Sequence, residues 1–217
     1  MDVSGTASGS VNSGNLIAAG SAPGGFDVRS SGNSVFISNN SRSGRWLDCS
    51  PTGAFGQAGL LDGNGNIGAN GKTVYVSFMQ QPNIANNNFY EFEFHRNNLG
   101  DPGRIAGIGC DVANSTQVYL RAPSSTQTPL GVANTNVNFY VVRIDYKPGN
   151  DDVYVYRNPA GNLEPDNDPV LTMLSVADMS FDGLSLAAYV NGMTVKNDEI
   201  RAGQTLGQRL GKSSGVL

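Results

Sequence analysis

Strict alternation of apolar and polar residues in two central segments is the feature that most constrains this fold. In residues 73–79, Val74, Val76 and Phe78 point to one side of an extended chain while polar and aromatic residues point to the other. Successive side chains of a β-strand face opposite sides of the sheet, so this pattern predicts a half-buried strand. Residues 89–95 repeat it more sharply, with three aromatic residues on one face: Tyr90, Phe92 and Phe94.

The same reasoning predicts further strands separated by turns that are rich in Gly, Asn, Asp and Pro. They span residues 34–38, 45–49, 104–109, 117–121, 138–146, 153–157, 181–189 and 199–202. Only residues 175–179 and 206–210 are expected to form brief helical turns, and an apolar patch at 16–19 could pair as an edge strand. The expected fold is all-β, a two-sheet antiparallel sandwich of the jelly-roll type. The predicted core is Val74, Val76, Phe78, Tyr90, Phe92, Phe94, Val142, Ile144, Leu184 and Leu186.

Length and charge narrow the class of protein. A chain of 217 residues is long enough to bury one full core, and we expect a single domain over 1–217 with a mobile extreme amino terminus and a short carboxy-terminal tail. The formal charge of −4 and the absence of Lys/Arg runs argue against nucleic acid as a partner. No apolar run reaches the length of about 20 residues that a membrane span needs. Cys49 and Cys110 could form a disulfide or remain two buried thiols.

An ordered series of motifs between Thr73 and Gly207 resembles the concanavalin A-like lectin/glucanase superfamily, in particular laminin-G-like domains of secreted, often carboxy-terminally sorted bacterial surface proteins. No single motif is specific, but their order is. The resemblance implies a jelly roll of two curved sheets, an extracellular or cell-surface location and no particular reaction. The motifs are Thr-Val-Tyr-Val-Ser-Phe from Thr73, Tyr-Glu-Phe-Glu-Phe from Tyr90, Arg-Ile-Ala-Gly-Ile-Gly from Arg104, Tyr-Val-Val-Arg-Ile-Asp-Tyr from Tyr140, Val-Tyr-Arg-Asn-Pro from Val155, Met-Ser-Phe-Asp-Gly-Leu from Met179 and Asp-Glu-Ile-Arg from Asp198.

Glu91, Glu93 and His95 share the polar face of the second alternating segment, and with Arg96 they are the predicted ligand-binding residues. Carboxylate and imidazole groups on one face could hold sugar hydroxyls or act as acid and base. Some glucanases of the superfamily carry acidic residues at alternating strand positions, but here His95 stands where a second essential carboxylate would fall. The alternative is that these residues lie on the solvated face of an ordinary strand.

Asp62, Asn64 and Asn66 lie in a Gly-rich loop that resembles the opening of a calcium-binding loop but lacks its distal glutamate. Their oxygen atoms make calcium the one cofactor that the sequence suggests. A plain turn is the competing interpretation, because the same residue types stabilise turns without a metal.

The expected function is therefore a non-catalytic extracellular module that binds carbohydrate or adheres at a surface. One alternative is a glycan-degrading hydrolase or lyase that uses Glu91 and Glu93. Another is a structural surface protein whose protomers, as a homo-oligomer, associate through exposed sheet edges into a filament or layer. The partners would be glycans in the first two cases and neighbouring surface protomers in the last.

Overall fold

A computed structural model describes residues 10–13, 34–38, 40–85, 88–111, 116–122, 127–159, 169–189 and 192–205. Within these ranges the chain forms thirteen strands, one short helix and a 3-10 turn at Asp101–Gly103. The strands are β1 Ser10–Ser13, β2 Ser34–Ser38, β3 Ser41–Trp46, β4 Thr73–Pro82, β5 Tyr90–His95, β6 Arg104–Cys110, β7 Gln117–Arg121, β8 Gln127–Val132, β9 Asn138–Asp145, β10 Asp152–Arg157, β11 Leu171–Met173, β12 Gly183–Ala188 and β13 Thr194–Gly203, and the helix is α1 Ala54–Gln57.

The strands form two antiparallel sheets. One sheet has seven strands in the order β1-β2-β13-β4-β9-β10-β11, and the other has six in the order β3-β12-β5-β6-β7-β8. Strands β13 and β12 pair with strands that are distant in sequence, β13 with β2 and β4 and β12 with β3 and β5, and the chain passes repeatedly from one sheet to the other, as in jelly rolls. The predicted all-β sandwich is confirmed. No helix in the described ranges is long and apolar enough to cross a membrane.

Aromatic rings join the two sheets at the centre of the sandwich. Phe78 of the seven-stranded sheet stacks on Phe92 of the six-stranded sheet, with ring centroids 3.9 Å apart and planes 6° from parallel. Tyr140 stacks against Phe78 from the neighbouring strand, and Phe94 meets Phe92 edge-on. All ten residues of the predicted core are buried. The alternation in β4 and β5 therefore predicted both the sheets and the residues that hold them together.

The outer faces of the two sheets differ in character. The outer face of the seven-stranded sheet carries a second apolar cluster of buried residues, namely Tyr75, Met79, Phe139, Val141 and Tyr156. The outer face of the six-stranded sheet instead carries the polar residues of β5, Glu91, Glu93 and His95. Polar groups on a sheet next to a large core are costly to desolvate unless they are paired, so this second face is the one that needs explanation.

Several predicted boundaries are wrong for identifiable reasons. The third strand occupies Ser41–Trp46 rather than 45–49 because its inward-facing residues are polar, so apolar alternation is missing. The sequence pattern does not predict β1, β8 and β11. β1 and β11 have only four and three residues, and β8 contains Pro129 and Gly131, which are unusual within a strand except at a sheet edge. Residues 175–179 are not helical, and the short helix is α1 instead. The patch at 16–19 and residues 206–210 lie outside the described residues.

Of the two alternatives for the cysteines, the structure has two thiols and no disulfide between them. Cys110 is buried at the end of β6, and Cys49 is partly buried beyond β3. Burial is the main cause that raises the pKa of both thiols, so neither is poised as a thiolate nucleophile. The single domain over 1–217 stays a prediction, because both ends of the chain lie outside the described residues.

The stacked phenylalanines give a first test of the fold. Phe78→Ala and Phe92→Ala should each lower the free energy of unfolding by about 3–5 kcal/mol, because each removes a fully buried ring and leaves a cavity. Val132→Ala, at an exposed position of β8, is the control and should change it by less than about 0.5 kcal/mol. Urea denaturation of the three variants measures the difference, and a Phe92→Ala variant as stable as the control would contradict the assigned core.

Candidate functional site on the six-stranded sheet

The polar residues of β5 lie at the centre of the outer face of the six-stranded sheet. Glu91 pairs with Ala187 on one side and Gly109 on the other, and Glu93 pairs with Ser185 and Gly107. The residues on both neighbouring strands are small. Long side chains from more distant strands can therefore reach across them to the two carboxylates.

The structure brings Glu91, Glu93 and His95 together but does not expose them. Their exposed fractions are 3%, 0% and 0%. The alternative of a solvated strand face is therefore wrong. An ionised carboxylate without water is stable only when it is paired and hydrogen-bonded, so partners must be supplied by the rest of the sheet.

Three arginines supply those partners. Arg42 of β3 donates from Nε and Nη2 to the two carboxylate oxygens of Glu93, at 2.8 and 2.9 Å. Arg104, at the start of β6, donates from Nη1 to both glutamates, at 3.3 Å to Glu91 and 3.2 Å to Glu93. Nε of Arg121, at the end of β7, lies 2.8 Å from Glu91 Oε1. The two carboxylates and three guanidinium groups thus form one ion-pair network, the Glu/Arg network.

Asp101 and Asp111 extend the Glu/Arg network at its rim. Arg42 Nη2 donates to Asp101 Oδ1 at 2.5 Å, and Arg121 Nη2 lies 2.9 Å from Asp111 Oδ2. The arginine side chains remain 16–18% exposed, whereas the glutamates are almost completely covered. The groups that can touch a ligand are therefore the arginines, and the glutamates hold them in position.

Gly107 makes the Glu/Arg network possible. A Cβ atom at this position would lie 2.7 Å from Glu91 Oε2, closer than real Cβ atoms approach an oxygen. The carboxylate lies flat against the β6 backbone because no side chain stands there. Any residue other than glycine at this position would displace Glu91 from the Glu/Arg network.

His95 is held by one backbone and two side-chain groups. Its Nδ1 lies 3.0 Å from the carbonyl oxygen of Asn98, which can only accept, so Nδ1 carries a proton. Nε2 lies 2.8 Å from Ser185 Oγ and 3.2 Å from Glu93 Oε2. Serine and carboxylate meet the same ring nitrogen, and all three side chains are buried. This is not the relay of a nucleophilic serine, in which the histidine lies between serine and acid.

The pKa values of the two glutamates move in opposite directions. Burial raises the pKa of Glu91, and the charges of Arg121 and Arg104 offset only part of this effect. Burial also acts to raise the pKa of Glu93, but hydrogen bonds from His95, Arg42 and Ser185 outweigh it and hold that pKa below its ordinary value. Glu93 is thus the fixed negative charge of the Glu/Arg network, and Glu91 is its titrating member.

Arg96, the fourth predicted ligand-binding residue, lies apart from the other three. Its Nη1 donates to Asp178 and to Ser180 Oγ, the latter at 2.8 Å. The loop that follows turns back over the outer face, where the Leu99 side chain occupies the space that a Cβ atom at Gly44 or Gly183 would need. Arg96 therefore anchors the base of this loop, and the loop separates it from the Glu/Arg network.

Aromatic side chains surround the Glu/Arg network. Trp46 is 48% exposed and its ring covers Gly183, where a Cβ would lie 3.2 Å from the ring. At the opposite end, Tyr189 lies under the Arg42 guanidinium, 5.2 Å from the ring centroid, and Phe89 lies under Arg121. Tyr119 pairs with Gly109 beside Glu91 on the same face. Aromatic rings beside fixed polar groups are what sugar rings stack on.

Sequence reasoning found the carboxylates and missed the arginines. Nothing in the local pattern of Arg42, Arg104 or Arg121 distinguishes them, because each meets the glutamates through strand pairing that brings together residues far apart in the chain. The available signal was composition: glycines alternate in β6 next to a segment with alternating glutamates. Buried carboxylates at that position require cationic partners.

The predicted metal residues form a loop closed by its own hydrogen bonds. Asp62 Oδ1 accepts from the backbone N–H groups of Asn64 and Asn66, at 2.8 and 2.9 Å, and Asp62 N donates to Asn66 O at 2.7 Å. Among the described residues, no group of three or more His, Cys, Asp or Glu side chains is placed to hold a metal ion. Calcium at this loop stays a prediction, with Asp62 Oδ2 and the asparagine side-chain oxygens as the candidate ligands.

Comparison with known proteins gives structural neighbours only. No family model and no curated protein matches the chain. A galectin of Caenorhabditis elegans is 9% identical with a TM-score of 0.37, covering 62% of this chain and 88% of its own. The alginate lyase AlyA1 of Zobellia galactanivorans is 12% identical with a TM-score of 0.41, covering 82% and 80%. A GH131 β-glucanase catalytic domain of Podospora anserina is 14% identical with a TM-score of 0.36, covering 63% and 60%.

These neighbours share the jelly-roll sandwich, and for this chain that arrangement is shown by its own two antiparallel sheets. They include a lectin and glycan-degrading enzymes. At such low identities they do not indicate which ligand or reaction belongs to this chain.

The opposed pKa shifts predict two separate effects of pH on stability. Below the ordinary value of 4.5, the unfolded state protonates Glu93 before the folded state does, so the free energy of unfolding falls with acid. Above pH 4.5, the folded state retains the Glu91 proton that the unfolded state has lost. The free energy of unfolding therefore falls as the pH rises towards neutrality. Glu93→Gln should flatten the acid limb and Glu91→Gln the neutral limb of urea denaturation against pH. Identical pH profiles for the two variants would contradict these roles.

Calcium binding is tested at the Asp62 loop. A ligand that binds only the folded state stabilises it, so millimolar Ca²⁺ should raise the melting temperature above that in EDTA. Asp62→Asn is the matched variant, because asparagine can still accept the two backbone hydrogen bonds but lacks the charge. An equal melting temperature in Ca²⁺ and EDTA, or an equal rise in Asp62→Asn, would show that the loop is a plain turn.

Proposed function

We propose that this protein is a non-catalytic carbohydrate-binding domain whose ligand lies on the outer face of the six-stranded sheet. The observation that carries the proposal is the Glu/Arg network itself. Buried Glu91 and Glu93 hold three arginine head groups at fixed positions, and aromatic residues stand beside them. Polar groups fixed in advance bind sugar hydroxyls without losing side-chain freedom on binding.

The balance of charge on this face favours a neutral, hydroxyl-rich ligand. Three guanidinium groups face the carboxylates of Glu93, Asp101 and Asp111 and the carboxyl group of Glu91, whose pKa is raised, so the face carries no excess of positive charge. A strongly acidic polymer would have to compete with these carboxylates for the arginines. Neutral hydroxyls can instead accept from guanidinium N–H groups and donate to the rim carboxylate of Asp101, which is exposed.

One observation favours an enzyme as the second candidate. Glu91 and Glu93 are neighbouring carboxylates whose pKa values are shifted apart, as in acid–base pairs of glycoside hydrolases. Against this, both oxygens of Glu93 already accept hydrogen bonds from Arg42, and the side chain is fully buried. A carboxylate in that state can neither attack a sugar nor reach a glycosidic oxygen. We therefore propose binding rather than hydrolysis or lyase chemistry.

The proposal includes a secreted or cell-surface location, which rests on the sequence resemblance alone. It also leaves self-assembly as a distinct outcome. β11 is an edge strand of the seven-stranded sheet, and the residues that flank it, Val170 and Leu174, are 47% and 65% exposed. Exposed apolar residues at a sheet edge favour pairing with another chain. This edge supports the alternative of a surface protein that assembles through its sheets.

A glycan array with neutral and acidic oligosaccharides, probed alongside size-exclusion chromatography, tests the proposal. Binding of neutral glycans by a monomer is the expected result. Trp46→Ala and Tyr119→Ala should each weaken that binding about fivefold, since stacking on an aromatic ring contributes on the order of 1 kcal/mol. Leu174→Ala is the control, because Leu174 is exposed on the other sheet and its removal should leave binding unchanged.

The same preparation distinguishes the alternatives. Reducing ends or unsaturated products that form with wild type and disappear in Glu91→Gln or Glu93→Gln would establish the hydrolase or lyase. A large assembly that binds no glycan would favour the self-assembling surface protein. Glycan binding that survives both aromatic substitutions would place the ligand elsewhere on the molecule.

A further inference from the structure

A cavity opens between the two sheets beside β3, and the glycan proposal does not involve it. Its volume is about 120 Å³. The roof consists of Leu184 and Leu186 of β12, the floor of Ile200 and Ala202 of β13, and Phe55 of α1 also lines it. Cores of sandwiches are normally filled by side chains from both sheets at the density of an organic crystal. A void of this size is therefore a feature with a local cause.

The void is caused by the residues of β3 that face the other sheet. On this strand Arg42, Gly44 and Trp46 belong to the outer face, so the alternate residues Ser43 and Arg45 point towards the other sheet. Where a large apolar residue would normally fill the core, β3 supplies a serine, and β13 supplies Ala202. These small residues leave the space unfilled.

The lining combines apolar side chains with two arginines. Leucine, isoleucine and phenylalanine side chains make most of the wall, and Arg201, which pairs with Glu199, also lines it. Arg45 and Gly44 line the cavity and are exposed, so the cavity opens to solvent at these β3 residues. Apolar cavities of about 150 Å³ bind benzene-sized molecules, and a guanidinium pairs with carboxylates.

We propose that this cavity binds a small monocarboxylate with an apolar body of about four to six carbon atoms. The apolar end lies against Leu184, Leu186 and Ile200, and the carboxylate lies at the mouth beside Arg45. The size of the cavity and its lining, apolar side chains together with arginine, both set this class of ligand. A sugar would leave its hydroxyls unpaired against the leucines, and a neutral hydrocarbon would make no use of the arginine.

Hexanoate is the probe, titrated into ¹⁵N-labelled full-length protein and followed by amide chemical shifts. Saturable shifts are expected at the amides of Leu184, Ile200 and Ala202. Hexanol, with the same tail, and acetate, with the same head group, should each bind at least about fivefold more weakly, as expected when the apolar contact or a partly exposed ion pair is lost. No saturable shift at these amides, or equal affinity for hexanol and hexanoate, would overturn the proposal.

Three variants separate the cavity from a general effect of charge. Arg45→Gln should weaken hexanoate binding about fivefold and leave hexanol unaffected. Lys72→Gln makes the same change of net charge at an exposed position and should change neither. Ala202→Leu should fill the space and abolish binding of both ligands, with an unchanged or raised melting temperature showing that the variant is folded. Hexanoate binding that persists in folded Ala202→Leu would contradict the assigned cavity.

Discussion

The buried carboxylate of Glu93 is the constraint on which the polar side of this sandwich depends. A charge without access to water is stable only if every oxygen is paired, and here two guanidinium groups, a hydroxyl and an imidazole surround it. That requirement fixes the rotamer of Arg42 and the position of Ser185. It also requires small residues on the flanking strands, so that long side chains can cross them. Arg42 of β3, Ser185 of β12 and Gly107 of β6 are thus all positions at which this one buried charge restricts the residue type.

The same strand holds the apolar side together. Phe92 lies between Glu91 and Glu93 in sequence but faces the opposite direction, where it stacks on Phe78 of the other sheet. The glutamates are thus carried on a strand whose other face is locked in the aromatic core. This explains how a network of charges can hold its geometry although the two cysteines of the chain form no disulfide. Rigid support behind polar groups is what a preformed binding surface needs.

Prediction from sequence succeeded where the pattern was local. Alternation in β4 and β5 predicted the sandwich, its core and the common face of Glu91, Glu93 and His95. It failed where residues face an unfilled or polar environment: β3 shows no apolar alternation because Ser43 and Arg45 point inwards. It also could not predict the burial of the glutamates, since that depends on Arg104 and Arg121, which strand pairing brings to the site. Arg96 follows His95 directly in sequence, yet its side chain pairs with Asp178 and Ser180 instead of joining the Glu/Arg network.

β3 carries residues of two different surfaces on alternate positions. Arg42 and Trp46 are on the outer face, whereas Ser43 and Arg45 are on the side that faces the other sheet, with Ser43 buried and Arg45 exposed at the cavity. Because the side-chain period of a strand is two, a shift by one residue would exchange these sets. A single-residue deletion ahead of Ser41 would thus remove both surfaces at once, whereas a substitution alters only one of them. Over evolution this strand should tolerate changes of residue type far better than changes of length.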